Sequence, residues 1–308
     1  MKIVYFGSSA FSVPSMYALR DLITHVVTKK AKPKGRGYVT EAGEVKRAAV
    51  DLQLPVIEIE SFRDEASQGL RDLAPDLVVV VSFGLIIPKW FLDVPLRGAI
   101  NVHPSALPKY RGPSPMQWAI WNGETETAIS IIRMNERMDA GNVLFQETVP
   151  LDKEEDSRTL SERLAVRSAE ILPGLVKDIE EKGIEDGAAQ DDSLATYTPI
   201  IKKEMGLIDW HCSSTEILRQ IRALVDWPTA YTILDGKLLK LYRGSIREAQ
   251  AVGGAEPGTV VGVTKAGMDV ATLDGLLTVS EVQLENKKKM SAVDFGRGYR
   301  GLVGRRLQ

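Results

Sequence analysis

The stretch DLVVVVSF, residues 76–83, is an uninterrupted apolar run rich in valine. Such a run is typical of a strand buried on both faces of a parallel sheet, because neither face then needs polar residues. Strand and helix patterns alternate around it throughout residues 1–183. Further strands are predicted at residues 2–6, 25–28, 55–59, 98–103 and 128–134, and helices at residues 14–22, 44–52, 62–73 and 157–181. This alternation predicts a doubly wound, Rossmann-like α/β domain.

The pattern changes after residue 183. Residues 184–204 are largely polar and acidic without periodicity, so a linker is expected there. Residues 205–308 begin with a helical pattern at 214–224 and continue with short alternating runs joined by Asp235-Gly236 and Asp274-Gly275. Asp-Gly between alternating runs is a strong hairpin signal. With a further strand expected at 258–263, the second domain is predicted to be a small antiparallel, OB-like β-barrel, a fold that often binds nucleic acid.

Composition excludes several classes of protein. The chain has 308 residues, enough for two domains, and a single cysteine, Cys212, so no disulfide can form within it. No apolar run approaches the ~20 residues of a membrane-spanning helix, and no signal peptide is recognised. We therefore expect a cytoplasmic protein of the bacterial type, without a membrane association and monomeric.

Metal and nucleotide cofactors are not expected either. Three widely spaced histidines and one cysteine do not form a metal-binding pattern. The turn Gly7-Ser8-Ser9 lacks the Gly-x-Gly-x-x-Gly fingerprint, and the chain has no Walker lysine motif. The sequence thus predicts neither an NAD nor an ATP site.

Candidate catalytic residues follow two of the predicted strands. Asn101 and His103 end the strand GAINVH, two positions apart, so both side chains point to the same face. Asp139 follows a later strand. Ligands of open α/β sheets bind beyond the carboxyl ends of the strands, so these three side chains are expected to converge.

An asparagine, a histidine and a carboxylate suit acyl-type transfer to an amine. The asparagine amide can donate to the oxyanion that develops on the carbonyl. An imidazole exchanges protons near neutral pH, and a nearby carboxylate orients it. No serine or cysteine nucleophile is needed, because the amine itself attacks.

A family resemblance supports this chemistry. DLVVVVSFGLIIP (76–88) and GAINVHPSALPKYRGPSPMQWAIWNGETETAISIIRMNERMDAGNVLFQE (98–147) resemble the core of the formyltetrahydrofolate-dependent formyltransferases. GSSAFSVPSMYAL (7–19), KAKPKGRG (30–37) and IDWHCSSTEILRQIRALVDWPTAY (208–231) are similar to further segments of the branch that acts on initiator methionyl-tRNA. The chain has Ala106 where the family more often has leucine.

The resemblance implies roles for particular residues. Asn101, His103 and Asp139 would form the catalytic set, and 10-formyltetrahydrofolate would donate the formyl group. The residues expected to line the folate site are Phe83, Gly84, Leu85, Ile86, Ile87, Ser105, Ala106, Leu107 and Pro108. Those expected to bind the methionine end or the tRNA are Phe11, Lys34, Arg36, Lys287, Lys288 and Lys289.

Charge distribution offers independent support for a polyanionic partner. Residues 29–47 contain seven Lys or Arg against two glutamates, and residues 202–308 contain 16 Lys or Arg against 12 Asp or Glu. Basic loops often contact a phosphate backbone, although a solvated charged loop explains the same composition. The charge distribution indicates only a polyanionic partner, and the family resemblance implies that this partner is initiator methionyl-tRNA.

Two other hypotheses remain open at this stage. A formyltransferase of the same family could act on the amine of a sugar nucleotide, which would not require the basic loop. A nucleic-acid-binding module could carry a degenerate enzyme domain. The presence of Asn101, His103 and Asp139 together argues against the second of these.

Overall fold

The computed structural model describes residues 1–31, 42–247 and 254–308. These residues form two compact units. The first comprises residues 1–115, 126–150 and 160–199, and the second comprises residues 116–125, 151–159 and 200–308. Each unit is described by itself.

The first unit is built on a seven-stranded sheet with the order β3-β2-β1-β4-β5-β6-β7. Strands β1 to β5 pair in parallel, and β6 and β7 extend the sheet antiparallel. The strands are β1 (Ile3–Gly7), β2 (Ile23–Lys29), β3 (Val56–Ile59), β4 (Leu77–Val81), β5 (Ala99–His103), β6 (Glu126–Arg133) and β7 (Val143–Pro150).

The apolar run that suggested the fold lies at the centre of this sheet. Every residue of β1 and β4 is buried, and Ile3 pairs with Leu77 in their common register. The chain proceeds outward from β1 to β3 in one direction and from β4 to β7 in the other. Strand order therefore reverses between β1 and β4, and the crevice beyond their carboxyl ends is where such sheets bind ligands.

Six α-helices are found in residues 1–31 and 42–182. They are α1 (Val13–Ala18), α2 (Glu44–Asp51), α3 (Glu65–Gln68), α4 (Lys89–Leu92), α5 (Pro115–Asn122) and α6 (Ser157–Lys182). The helix predicted at residues 62–73 is shorter than expected. Asp64 caps α3 by accepting the Ser67 N–H, and the chain tightens into a 3-10 turn from Gly69, which is a weak helix former.

The second unit is a curled antiparallel sheet with the order β10-β11-β12-β9-β8, and β13 pairs with β12. Its elements after residue 199 are α7 (Ser214–Ala223), β8 (Tyr231–Leu234), β9 (Lys237–Arg247), β10 (Val260–Thr264), β11 (Gly267–Ala271), β12 (Leu276–Leu284), β13 (Met290–Ser291) and α8 (Ala292–Gly298).

The C-terminal residues connect the two edges of this sheet. Val260 donates its N–H to the carbonyl of Arg305 at 2.8 Å, and Ile233 donates to the carbonyl of Gln308 at 2.8 Å. Because Val260 begins β10 and Ile233 lies in β8, the tail pairs with one residue of each edge strand. Exposed edges invite pairing with other chains, and a tail that pairs with both removes that hazard.

The predicted fold class is confirmed: a Rossmann-like domain precedes a curled antiparallel sheet. Sequence patterns did not predict β7, β13, α4, α5 or α8. Within the described ranges, no helix is both long and apolar enough to cross a membrane.

Candidate active site

Strand β5 presents the first two predicted catalytic side chains. Asn101 and His103 pair with Ile132 and Ser130 of β6, and the alternation of a strand places both side chains on one face. His103 is buried, with 5% of its surface exposed, whereas Asn101 is half-buried. The two residues thus project from the end of the sheet as the sequence predicted.

Asp139 joins them from the loop between β6 and β7. Asn101 donates Nδ2–H to Oδ1 of Asp139 at 3.3 Å, and Nδ1 of His103 lies 3.7 Å from Oδ2. The 3.7 Å separation is within ion-pair range and outside that of a direct hydrogen bond. The three predicted catalytic side chains are therefore brought together.

The other ring nitrogen of His103 is engaged by the backbone. Nε2 lies 2.9 Å from the carbonyl oxygen of Tyr110. A carbonyl can only accept, so Nε2 carries a proton and donates it. Nδ1, beside the Asp139 carboxylate, is consequently the nitrogen available for proton exchange.

Hydrogen bonds fix the segment that follows His103. The Ser105 hydroxyl donates to the carbonyl of Lys109 at 2.8 Å, and the Ser130 hydroxyl donates to the carbonyl of Ser105 at 2.6 Å. Gln146 donates Nε2–H to the carbonyl of Leu107 at 3.0 Å. The Leu107–Pro108 peptide bond is cis. Ser105 and Leu107 are buried, and Ala106 and Pro108 are partly exposed.

Residues 83–87, predicted to line the folate site, divide into two groups. Phe83 and Ile87 are buried in the hydrophobic core, where the Phe83 ring meets the edge of Phe6 at a centroid distance of 5.0 Å. Ile86 is 83% exposed. Among the described residues, no hydrogen bond is found to the backbone of residues 83–87. The backbone N–H and C=O groups of this segment are thus available to a ligand, whereas the side chains of Phe83 and Ile87 are buried.

The structure gives less information about the residues predicted to bind tRNA. Lys34 and Arg36 lie outside the described residues. Phe11 is buried, with 5% of its surface exposed, so only a small part of its side chain is open to a substrate. Lys287, Lys288 and Lys289 are exposed between β12 and β13, and Lys289 lies 2.8 Å from Glu281 and 4.1 Å above the Tyr242 ring.

One set of residues near the site was missed by sequence reasoning. Gln190 donates to the carbonyls of Asp139 and Gly141, and it accepts from the buried side chain of Arg111. Hydrogen bonds from Arg137 and Arg111 lower the pKa of Asp192. Gln190 and Asp192 belong to the stretch interpreted as a linker, whose polar composition gave no sign of these contacts.

No cluster of three or more histidine, cysteine, aspartate or glutamate side chains suited to a metal ion is found in residues 1–31, 42–247 and 254–308.

Comparison with known families matches both parts of the chain. Residues 1–176 match the model of the formyl transferase family, and residues 200–300 match the model of the formyl transferase C-terminal domain. Together the matches leave unassigned only residues 177–199 and the last eight residues.

Curated relatives match over more than nine-tenths of their length. The methionyl-tRNA formyltransferase of Geotalea daltonii is 39% identical over 311 residues, covering 100% of this chain and 98% of the relative. That of Pelobacter propionicus is 41% identical over 297 residues, covering 95% of this chain and 92% of the relative.

A solved structure shows the same fold. The N-formyltransferase from Helicobacter canadensis, in complex with folinic acid and dTDP-3-aminofucose, superposes with a TM-score of 0.65 at 17% identity. The superposition covers 94% of this chain and 100% of that one. At this identity the likeness establishes the fold alone.

Proposed function

The chain belongs to the formyl transferase family, and we propose that it transfers a formyl group from 10-formyltetrahydrofolate to the α-amine of initiator methionyl-tRNA. The products would be N-formylmethionyl-tRNA, used to initiate translation, and tetrahydrofolate. The observation that carries this proposal is the convergence of Asn101 and His103 on Asp139, in a chain aligned end to end with relatives of that activity.

The donor fits the features at the carboxyl edge of the sheet. A pterin presents a flat ring with hydrogen-bonding groups along its edge, and ligand sites combine apolar walls with a few placed polar groups. Residues 83–87 supply unpaired peptide groups beside a partly exposed Leu85, and Ala106 and Pro108 are also partly exposed. We therefore propose that residues 83–87 and 105–108 hold the folate.

The catalytic residues divide the chemistry between them. The amine nitrogen attacks the formyl carbon, the bond from that carbon to the folate nitrogen breaks, and the amine proton is removed while the leaving nitrogen gains one. The Asn101 amide has a second N–H besides the one given to Asp139, and this can donate to the developing oxyanion.

His103 would move the protons, assisted by Asp139. Its Nε2 is held by Tyr110, so proton transfer passes through Nδ1, on the side of Asp139. The carboxylate stabilises the imidazolium that forms, and a contact that is long in the free protein can tighten when the substrates bind. Burial of His103 keeps bulk water from the exchange.

The tRNA would be held by phosphate contacts that carry no sequence information. We propose Lys34 and Arg36 of the basic stretch 29–47 and Lys287, Lys288 and Lys289 of the second unit for this role, with Phe11 near the methionine. The exposure of the three lysines supports it. We further propose that the enzyme is a cytoplasmic monomer, which light scattering in solution would test.

The sugar-nucleotide alternative has less support. Relatives named for methionyl-tRNA are 39–41% identical over nearly the whole chain, whereas the structure holding a sugar nucleotide is 17% identical. A binding module with a degenerate enzyme domain is disfavoured because the three predicted catalytic side chains are present and in contact.

The site is tested by replacing His103 and a matched histidine. His103→Ala should lower kcat for formyl transfer by about 100-fold or more, because general acid–base assistance is lost. His211 is exposed on the second unit beside Asp209, and His211→Ala should retain kcat within about twofold. A His103→Ala enzyme as fast as the wild type would refute this assignment.

A further inference from the structure

We propose that Gln190 is a positioning residue for the catalytic carboxylate: its side-chain amide holds the turn 139–141 in the conformation that directs Asp139 toward Asn101 and His103. This inference rests on the proposed function, because it takes Asp139 to be catalytic.

The amide of Gln190 bridges the two ends of that turn. Its Nε2 donates one hydrogen bond to the carbonyl of Asp139 at 2.8 Å and another to the carbonyl of Gly141 at 2.7 Å. Both N–H groups of the side chain are thereby used. Among the described residues, no other donor to these two carbonyl oxygens is found. A single side chain therefore satisfies both acceptors.

Arg111 fixes which way the amide faces. Its Nε lies 3.1 Å and its Nη2 lies 2.9 Å from Oε1 of Gln190. A guanidinium can only donate, so the oxygen of the amide must face Arg111 and the NH₂ must face the turn. The Arg111 side chain is fully buried, and Asp192 and Tyr197 accept its remaining hydrogen bonds, at 2.8 and 3.2 Å.

The turn needs such support because of its backbone. Asp139 has a φ of +50°, in the left-handed region that residues other than glycine seldom adopt. A residue held in that region persists when its surroundings determine it, and such residues are frequent at active sites. Release of the two carbonyls would let the turn relax and would move the Asp139 carboxylate, which now lies 3.7 Å from Nδ1 of His103.

The segment that carries Gln190 is itself anchored. The N–H of Arg111 donates to the carbonyl of Thr196 at 2.9 Å, and Thr198 donates its N–H to the carbonyl of Arg111 at 2.8 Å. Gln190 is thus held to Arg111 both by its own side chain and by the backbone of the segment that follows it. A rigid support of this kind is what a catalytic group needs to keep its orientation.

Two substitutions distinguish the loss of the two N–H donors of Gln190 from the loss of its whole side chain. Gln190→Glu has the same shape and keeps an acceptor for Arg111, but it faces the two carbonyls with a carboxylate that cannot donate. Gln190→Ala removes all four contacts. Because misplacing a catalytic group by about 1 Å can cost 100-fold, we expect kcat to fall by about 10- to 100-fold, with the KM values of both substrates within about threefold.

The matched control is Tyr197→Phe. It removes the hydroxyl that accepts from the same guanidinium, at 3.2 Å, and leaves the two hydrogen bonds from Gln190 to the turn in place. We expect kcat within about twofold of the wild type. Thermal unfolding of every variant shows that the proteins compared are folded, and Gln190→Glu keeps the test open if Gln190→Ala does not fold.

A double-mutant cycle with Asp139→Asn decides whether Gln190 acts through the carboxylate. If it does, Gln190→Glu in the Asp139→Asn background should cost less than about twofold in kcat, because the group it positions is already disabled. The inference would be overturned if the double variant lost kcat by the product of the two single losses. It would also be overturned if the Gln190→Glu single variant kept kcat within about twofold of the wild type. Retention of activity by Asp139→Asn itself would overturn the catalytic assignment, and the inference with it.

Discussion

The backbone N–H of Gly112 donates to Oδ2 of Asp139 at 2.8 Å. It is the shortest hydrogen bond to this carboxylate among the described residues, shorter than the 3.3 Å contact from Asn101. Gly112 has a φ of +105°, and a Cβ on it would lie 2.9 Å from the backbone oxygen of Thr198. Glycine alone adopts this positive φ without strain and also has no Cβ to meet Thr198. The residue that donates to Asp139 is therefore restricted to glycine by backbone geometry as well as by space.

Gly112→Ala should therefore damage the site as well as the fold. The methyl group would push Gly112 away from Thr198 and its N–H away from Asp139, and we expect kcat to fall by about 10-fold or more. Gly98 is the matched control, since its φ is +80° and nothing lies within 4 Å of the added Cβ. Gly98→Ala should lose about 1–2 kcal/mol of stability with kcat unchanged. Equal kcat values for the two variants would contradict the role of the Gly112 N–H.

Two replacements of Asn101 should differ in severity. Asn101→Ala removes the donor and should lower kcat by about 100- to 1000-fold, the usual cost of losing an oxyanion donor. Asn101→Asp also places a second carboxylate where the amide now lies, 3.3 Å from Oδ1 of Asp139, and should be at least as slow. Steady-state rates at saturating substrates measure both effects. Activity close to the wild type in Asn101→Ala would remove Asn101 from the catalytic set.

Local patterns sufficed for strands β1 to β6 of the first sheet and for placing the proposed catalytic residues Asn101 and His103 at the end of one strand. The valine run of β4 and the two-residue spacing of Asn101 and His103 are features of adjacent positions, which a sequence displays directly. Asp139 could be associated with them because strands of one sheet end at a common edge.

What the sequence could not show depends on distant pairs. Strand β7 alternates weakly, and all but one of its residues are half-exposed or exposed, so its pairing with β6 is set by tertiary contacts. Gln190 lies 51 positions from Asp139, in a stretch whose polar composition predicts a linker. A hydrogen bond from a side chain to a carbonyl far away in the sequence leaves no periodic pattern that could predict it. The positive φ of Asp139 could not be predicted either, because aspartate tolerates such a conformation without requiring it.

Asp192 gives a prediction about pH. Arg137 and Arg111 lower the pKa of its carboxyl below the ordinary value of 3.8. A carboxyl with a lowered pKa in the folded state stabilises the protein above its unfolded pKa, and this contribution disappears as the pH falls through the folded value. The melting temperature of Asp192→Asn should thus lie below that of the wild type at pH 7, and the gap should close as the pH falls below 3.8.

Asp21→Asn is the control for that experiment. Asp21 is an exposed carboxylate 3.7 Å from Arg20, and its replacement should change the melting temperature little at any pH, as is usual for exposed ion pairs. A gap for Asp192→Asn that stays constant between pH 7 and pH 3 would show that the ion pairs with Arg137 and Arg111 do not stabilise the fold.

The C-terminal tail should stabilise the second unit. Leu307 is buried, with 2% exposed, and its N–H donates to the carbonyl of Gly258 at 2.8 Å. Leu307→Ala should cost about 2–5 kcal/mol of unfolding free energy because it leaves a cavity in the core. Val303, four residues earlier, is 56% exposed, and Val303→Ala should cost less than about 0.5 kcal/mol. Urea unfolding measures both, and equal losses would show that the tail is not part of the core.

The choice of acceptor is tested most directly by competition. The enzyme is supplied with 10-formyltetrahydrofolate, charged initiator tRNA and an amino-sugar nucleotide together, and the formylated products are separated and counted. We expect formyl transfer to the methionyl-tRNA, abolished by His103→Ala, with the sugar nucleotide unmodified. Formylation of the sugar nucleotide with the methionyl-tRNA left unmodified would contradict the proposed function.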